Sequence, residues 1–453
     1  MRLLRCFVLL ALLVGSAVGQ ALSPEITVQI DRAARQSLQN GGPPSLVVGI
    51  LRQGKPVFAR AYGLAQLQPR VPAQAEMRYA IGSVSKQFTV SALLLLQEQG
   101  KLSLDDPVSR FLPGLNRGSD ITIRQLLSHT SGYSDYYPQD YLPASMLAPV
   151  TPEQIVRGWA ARPLDFEPGT RWQYSNTNYV LAGMVAEKVS GMPLSQYLQE
   201  RIFAPLQMTS ASTQPPEPLA TYRYAGGPLR AMQREGQGWL FATGDLSMNV
   251  HDLLRWDASF MAHRVLKDSS HQLMEREVVT NDGVGTGYAL GLFVSRQGDQ
   301  RRLEHGGEVA GFTCENVMLP EEGSAVVVLS NQMATPAPQA LAGEISALLS
   351  KLSDDGAQAR HRNFLEGLSH GRVDTAVLSD NAQKFFTPEV QADYTRKLKS
   401  AGPLKSFELA RRFRRGGMVG RVYRAATARN RFAITTYSLP DEKLEQFLII
   451  PLP

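Results

Sequence analysis

Ser83 and Lys86 stand three residues apart, where turn residues give way to a long apolar segment. In a helix the two side chains share one face, so the lysine amino group can reach the serine hydroxyl. Burial lowers the pKa of a lysine, which lets it take the serine proton and activate the nucleophile. Unpaired backbone N–H groups at the helix start can stabilise an oxyanion. Alone, an S-x-x-K step is more often a capped helix with a solvated lysine.

Tyr174 and Asn176 form a second step, Y-S-N, between the turn-rich segment 166–170 and an apolar helical pattern over 179–189. A loop backed by a helix presents both side chains to a cleft. The phenol can relay a proton, while the amide can hold a substrate carbonyl and orient the lysine. Alone, this tripeptide is an ordinary turn.

His305, Gly306 and Gly307 form a third step, ahead of a predicted β-hairpin with strands at 311–319 and 325–329. We expect the glycines to start the first strand and to let a substrate backbone lie against it. A main-chain N–H there can serve as a second oxyanion donor. Alone, H-G-G is usually a loop.

Together the steps S-x-x-K, Y-x-N and H-x-G follow one order, each in a suitable context. This order resembles the serine penicillin-recognising hydrolases, in the branch that contains class C β-lactamases, DD-carboxypeptidases, D-aminopeptidases and esterases. The similarity spans most of residues 25–350 and includes 105–107, 123–132, 166–169 and 244–256.

The resemblance implies a catalytic role for three side chains. Ser83 is expected to be the acylated nucleophile, Lys86 its proton acceptor and Tyr174 a proton relay in acylation and deacylation. Asn176 is expected to bind the substrate amide. The backbone N–H groups of Ser83 and Glu308 are expected to form the oxyanion hole.

His305 and Gly307 are expected to line a third edge of the site and to bind substrate. Many members of the family carry lysine where this chain has His305, and that cation attracts a substrate carboxylate. A histidine with an ordinary pKa of about 6.5 is mostly neutral at pH 7, so we expect weaker carboxylate binding that strengthens below about pH 6.5. This departure counts against an efficient β-lactamase but not against a peptidase, because similar peptidases include members with histidine here.

The N-terminus predicts export. Arg2 and Arg5 precede an apolar stretch over 7–14 and a run of small residues, the pattern of a cleaved signal peptide over residues 1–20. We therefore expect a periplasmic or secreted protein with no stable membrane insertion after cleavage. The mature chain would hold one cysteine, Cys314, and no internal disulfide.

The element pattern predicts an α+β protein. Hairpin strands at 45–51 and 56–62, helical patterns over about 104–260 and the later strands fit a β-lactamase/DD-peptidase-like fold, an antiparallel sheet flanked by helices with an inserted helical subdomain. We expect a hydrolase domain over 21–352 and a small C-terminal α+β domain over 353–453, similar to nuclear-transport-factor-like domains. The long loop 209–238 is expected either at the rim of the cleft, which we favour, or as an excursion on the surface.

The distribution of charge and the spacing of the histidines indicate which partners and metals to expect. The net charge of +6 is concentrated in the C-terminal part, whose run 411–415 invites an anionic partner such as an acidic cell-wall polymer or forms a solvated sheet face. No nucleic-acid motif is recognisable. His251, His263 and His271 show no ligand-like grouping, so no metal and no cofactor are expected.

These observations predict a secreted serine hydrolase that acts through a Ser83 acyl-enzyme on D-amino-acid peptides, amides or esters. Two alternatives remain, a class C-type β-lactamase and a noncatalytic module that binds muropeptides or serves in assembly. Catalysis is favoured because the serine, lysine, tyrosine and asparagine are all present.

Overall fold

The computed structural model describes residues 22–39, 41–138, 141–223, 227–297 and 300–452. The predicted signal peptide, residues 1–20, lies outside the described residues. Within them, no helix combines the length and the apolar character that crossing a bilayer requires.

The strands are short in the middle of the chain and long at both ends. In chain order they are β1 (Ser45–Arg52), β2 (Lys55–Gln66), β3 (Val71–Pro72), β4 (Tyr79–Ala80), β5 (Thr221–Tyr222), β6 (Arg230–Ala231), β7 (Ser247–Met248), β8 (Phe293–Gln297), β9 (Gln300–Val309), β10 (Phe312–Leu319), β11 (Ser324–Ser330), β12 (Leu404–Arg415), β13 (Met418–Thr427), β14 (Arg431–Ser438) and β15 (Leu444–Leu452).

The α-helices lie before, between and after these strands. They are α1 (Pro24–Ser37), α2 (Lys86–Glu98), α3 (Ile123–Leu127), α4 (Pro152–Trp159), α5 (Asn176–Ser190), α6 (Leu194–Leu198), α7 (Val250–Met261), α8 (Asp268–Glu275), α9 (Ala337–Ser369), α10 (Asp380–Phe385) and α11 (Pro388–Ala401).

A seven-stranded antiparallel sheet of order β3-β2-β1-β11-β10-β9-β8 organises the first part of the chain. Strands β1 and β11 pair at its centre although Leu46 and Ser330, which face each other, are far apart in sequence. Val48 packs on one face with α1 and α9, and Val47 packs on the other face with α2 and α7. Both faces are covered, which explains why these strands read as continuous apolar runs. The predicted α+β fold is confirmed.

A helical region is inserted between β4 and β7 and packs on α2, as the fold prediction expected. Helix α2 is buried along nearly its whole length, and Phe88 meets Phe203 of the insert with ring centroids 5.4 Å apart. Gly100, with φ +70°, ends this helix in a left-handed conformation that costs glycine little. The site therefore lies between a sheet and a helical layer.

One detail of the predicted hairpin is wrong. His305 and the two glycines do not start the strand that contains Phe312; they belong to β9, an additional strand antiparallel to β10. Strand β8 pairs with β9 only over residues 300–304. Residues 305–309 consequently have β10 on one side and the turn that carries Ser83 near the other.

The C-terminal part has its own hydrophobic core, in which Phe364, Tyr423 and Phe447 pack between helices and the meander β12-β13-β14-β15. Helix α9 runs without a break through the predicted domain boundary at 352/353. The boundary and the nuclear-transport-factor-like assignment stay predictions.

Candidate active site

A tight backbone contact brings the nucleophile turn against the sheet. Gly82–Ser85 forms one 3₁₀ turn that leads directly into α2. A methyl group on Gly82 would lie 2.7 Å from the backbone nitrogen of Glu308, and one on Gly307 would lie 2.0 Å from the carbonyl oxygen of Ile81. Only glycine tolerates such approaches. The Glu308 N–H is thereby held beside Ser83, where an oxyanion donor is needed.

Lys86 is fully buried and its amino group has three hydrogen-bond acceptors. The Nζ atom donates to Ser83 Oγ at 3.0 Å, to Asn176 Oδ1 at 2.8 Å and to the carbonyl oxygen of Thr243 at 2.9 Å. Two of these acceptors are carbonyl oxygens, which cannot donate in return. When Lys86 loses a proton, its two remaining N–H bonds point at those oxygens and its lone pair points at the Ser83 hydroxyl.

Burial lowers the pKa of Lys86 to about 7, and the charge of Asp135 partly opposes that shift. A large share of the lysine is therefore neutral at neutral pH. Such a lysine can accept the Ser83 proton where an exposed lysine, with a pKa near 10.4, could not.

Asp135 is a site residue that the sequence analysis missed. Its carboxylate accepts hydrogen bonds from the backbone N–H of Asn176 at 2.8 Å and from the side-chain Nδ2 at 3.2 Å. Because a carboxylate only accepts, Asn176 must turn its amide oxygen toward Lys86. Asp135 follows the family-like stretch 123–132 by three residues, and the segment carries no spacing signal for it.

Tyr174 lies over Lys86, with the Nζ atom 5.0 Å from the ring centroid. Its ring is 4.3 Å from that of His129, whose Nδ1 accepts the backbone N–H of Ser175 at 3.1 Å and so fixes this loop. Burial raises the pKa of Tyr174 well above its usual value, while the nearby Ser83 hydroxyl lowers it in part. The phenol is therefore protonated at neutral pH and suited to donate a proton.

His305 does not behave as the sequence analysis expected. It is 2% exposed, its Nε2 lies 3.1 Å from the Tyr288 hydroxyl and its Nδ1 lies 2.6 Å from the carbonyl oxygen of Gly306. Burial, together with the charge of Lys86, lowers the pKa of His305 to about 3. The expectation that this ring becomes a cation below pH 6.5 is wrong, because ionisation in a buried site is costly.

The predicted residues meet at one cleft of about 670 Å³. Its lining includes Ser83, Tyr174, Asn176, His305, Gly307 and Glu308. Lys86 lies beneath, bonded to Ser83 and Asn176. Three glutamates also line the cleft, namely Glu304, Glu308 and Glu315, and among the described lining residues there is no lysine or arginine.

The segment 209–238 reaches this cleft through Glu235. The Glu235 carboxylate accepts hydrogen bonds from the hydroxyl of Tyr137, a lining residue, and from the backbone N–H of Ala310 at 2.7 Å. The described part of the loop thus contacts a lining residue through Glu235 but adds none of its own described residues to the lining, so its place at the rim stays a prediction.

The expectation of no grouping among the histidines is wrong. His263, His271 and Glu275 each place one potential ligand atom within 4.8 Å of the others. The two rings are stacked at 4.2 Å with an interplanar angle of 8°. Imidazoles in parallel planes cannot both aim a lone pair at one ion, because each nitrogen binds in the plane of its own ring. The observed arrangement is thus a stacked pair rather than a formed metal site.

Known proteins resemble this chain over the region that contains the cleft. A D-aminopeptidase from Brucella anthropi is 28% identical over 319 residues, which are 67% of this chain and 59% of that protein. A D-stereospecific amidohydrolase from Streptomyces sp. is 29% identical with a TM-score of 0.58, over 67% of this chain and 94% of the other.

A further structural neighbour extends the likeness to the C-terminal part. The octameric penicillin-binding protein homologue from Pyrococcus abyssi is 22% identical with a TM-score of 0.61, over 94% of this chain and 99% of the other. At this identity the likeness concerns the fold alone. The sequence profile of the Beta-lactamase family matches residues 30–350. With most of its length matched and with serine hydrolases as its relatives, this chain belongs to the Beta-lactamase family of serine hydrolases.

Proposed function

We propose that this protein is an exported hydrolase that cleaves amides, peptides or esters of D-amino acids through an acyl-enzyme on Ser83. The observation that carries the proposal is the buried Lys86, whose hydrogen bonds aim its lone pair at Ser83 Oγ. The similarity to a D-aminopeptidase and to a D-stereospecific amidohydrolase supports the substrate class.

Acylation begins with transfer of the Ser83 proton to neutral Lys86. The Ser83 oxygen then forms a bond to the substrate carbonyl carbon, and the developing oxyanion accepts hydrogen bonds from the N–H groups of Ser83 and Glu308. As the bond to the leaving nitrogen or oxygen breaks, Tyr174 donates a proton to the leaving atom and regains one from Lys86. In deacylation the same steps run in reverse with water in the place of the leaving group, and the acid is released.

The cleft disfavours substrates with a carboxylate next to the scissile bond. Carboxypeptidase substrates and β-lactams carry such a carboxylate, whereas amides and esters do not. His305 is neutral at neutral pH, the described lining holds three glutamates, and it has no lysine or arginine. None of the described lining side chains therefore offers a cation that would hold a negative substrate group. This favours an amidase or esterase over the β-lactamase alternative.

A noncatalytic binding module remains the second candidate. It would retain the cleft but would not need a lysine of lowered pKa. The pKa of about 7 therefore supports catalysis over binding alone.

The proposal also includes export of the protein and binding of its C-terminal part to an anionic cell-wall polymer. The pattern of residues 1–20 supports secretion. In the C-terminal part Arg412 and Arg421 are engaged with Asp354, at 3.4 Å and 2.9 Å, so an anionic wall polymer would meet the exposed Arg411, Arg415 and other outward side chains. Retention of the purified protein on isolated cell-wall sacculi, measured against salt concentration, tests this part.

The hydrolase proposal is tested by comparing four substrates side by side. These are a D-alanine p-nitroanilide, p-nitrophenyl acetate, an N-acylated D-alanyl-D-alanine peptide and a chromogenic cephalosporin. We expect turnover of the first two, weaker turnover of the others, and covalent labelling by a fluorophosphonate.

Ser83→Ala should abolish both turnover and labelling, a loss of about 10⁴-fold or more in kcat. Adduct mass on the Ser83→Ala protein would show that another residue is the nucleophile. Efficient cephalosporin hydrolysis with no anilide hydrolysis would make the protein a β-lactamase.

A further inference from the structure

The cleft continues around the edge of β9 onto the opposite face of the sheet. Along β9, Leu303 and Val309 pack in the core that contains α2, so His305 and Gly307 face the same way. Glu304, Gly306 and Glu308 alternate with them and face α9. The cavity is lined by residues of both faces, Ser83 on one and Thr313, Glu315, Thr335 and Gln339 on the other. We call this second group, with Glu304, Gly306 and Glu308, the outer lobe.

Glu315 is the buried acidic group of the outer lobe. On β10 its neighbours Cys314 and Val317 belong to the α2 core and the α9 core respectively, which puts Glu315 on the α9 face. It is 5% exposed, and within the described residues it makes no hydrogen bond or ion pair. Its carboxyl group lines the cleft without a protein partner among the described residues, which marks it as a candidate binding group.

Gly306 leaves this carboxyl open to the cleft. Gly306 and Glu315 face each other across the strand pair, and a methyl group on Gly306 would lie 3.0 Å from Glu315 Oε2. Any other side chain on β9 at this point would cover the carboxyl. The missing side chain thus creates access from the free edge of β9.

The surroundings of Glu315 favour a positive ligand. Arg302 forms an ion pair with Glu304 at 2.5 Å. This arginine is therefore not available as the partner of Glu315. Burial, with the charge of Glu304, raises the pKa of Glu315 to about 8, against a smaller opposing effect of Arg302. A cation that enters the lobe would restore the charged form of this carboxyl and gain an ion pair shielded from water.

We propose that the outer lobe binds a cationic side chain, an ammonium or a guanidinium, on a substrate residue that flanks the scissile bond, with Glu315 as the group that selects it. This inference rests on the proposed hydrolase function. The expected oxyanion donor is Glu308, and Gly306 lies two residues away along the strand, about 7 Å. An extended substrate along β9 turns alternate side chains to the two faces, so one flanking side chain reaches Glu315.

The test uses substrate pairs that differ only in side-chain charge. One pair is the p-nitroanilides of D-lysine and D-norleucine, and the other is D-alanyl-D-lysine amide and D-alanyl-D-norleucine amide. In at least one pair we expect the lysine compound to have a kcat/KM about tenfold higher or more. Glu315→Gln should bring that ratio close to one, while Glu315→Asp should keep part of it and Glu344→Gln, an exposed change on α9, should leave it unchanged.

Binding separates this inference from the hydrolase proposal. Isothermal titration of the Ser83→Ala protein with the same uncleaved pairs should show tighter binding of a lysine compound, and adding Glu315→Gln should remove the difference. If the wild-type protein hydrolyses nothing, the proposed function fails, yet the titration still decides the inference. Equal binding of lysine and norleucine compounds, or a preference that survives Glu315→Gln, overturns it.

Discussion

Replacing Asp135 by asparagine should lower the pKa of Lys86 and shift the acidic limb of the pH–rate profile to lower pH. A negative charge near an ammonium favours the charged form, and here the Asp135 charge opposes the effect of burial. Without it, Lys86 loses its proton at lower pH and is a competent base over a wider range. Asparagine keeps an oxygen that can accept the backbone N–H of Asn176, but it loses the second acceptor, which binds Asn176 Nδ2.

The size of the shift follows from the contacts that join the two groups. Lys86 Nζ and the Asp135 carboxylate bind opposite ends of the Asn176 amide, at 2.8 Å and 3.2 Å, which puts the charges within about 8 Å of each other. At that distance two unit charges interact by about 2 kcal/mol at an effective dielectric constant of 20 and by about 0.5 kcal/mol in water. The expected shift is therefore on the order of one pH unit.

The assay is kcat/KM for a neutral ester from pH 5 to pH 9, which reports groups of the free enzyme. The wild-type acidic limb should have its midpoint near pH 7, and that of Asp135→Asn should lie lower. Asp282→Asn, a change of the same kind at an exposed site, should leave the midpoint unchanged. A folded Asp135→Asn protein with an unshifted or raised midpoint would refute the assignment of that limb to Lys86.

Three further outcomes follow from the site. Tyr174→Phe should slow deacylation at least as much as acylation, because its hydroxyl donates the relayed proton, and intact-mass analysis should then show accumulated acyl-enzyme; an unchanged steady-state rate would remove the tyrosine from the mechanism. His305 stays neutral between pH 7 and pH 5, so His305→Gln should not change how the affinity for an acidic substrate, relative to a neutral one, depends on pH in this range; an increase in that affinity toward pH 5 that His305→Gln abolishes would contradict the buried, neutral state of His305. A chain that ends at Leu352 should keep most of its p-nitrophenyl acetate hydrolysis, because every described residue that lines the cleft precedes this point; full loss of activity in a folded truncation would show that the C-terminal part completes the cleft.

The sequence predicted best what local pattern encodes. Strand β1, predicted over 45–51, spans Ser45–Arg52, and the long apolar segment after Ser83 forms helix α2, Lys86–Glu98. In both cases apolar residues and a glycine turn define the element without help from distant parts of the chain.

Strand β9 was predicted only in part because charged residues interrupt its apolar pattern. Its first half carries Arg301 and Arg302, which lie in the sheet because Glu321 and Glu304 pair with them at 2.9 Å and 2.5 Å. Charges in a strand look like a loop until their partners are known. The position of His305 within a strand, and hence its burial, could not be read from the motif alone.

Contacts that depend on how loops and turns fold were not predicted from the sequence. Asp135 meets Asn176 across 41 positions of chain, and His263 meets His271 only because the chain turns between α7 and α8. Neither contact leaves a periodic or spaced signal. Such contacts depend on how loops pack, which residue types alone do not determine.

The pKa of Lys86 depends both on a local sequence pattern and on a contact from a distant loop. Its lowered pKa arises mainly from burial, and burial was readable because the helix that carries it is apolar nearly all round. The opposing charge of Asp135 was not readable, because it comes from a loop. Burial alone would make Lys86 a weaker base that works from a lower pH, and the carboxylate alone would keep it protonated at neutral pH, so the two effects together set its pKa. Burial and the Asp135 charge together set the pH range in which this site works, and only the burial could be predicted from the local sequence.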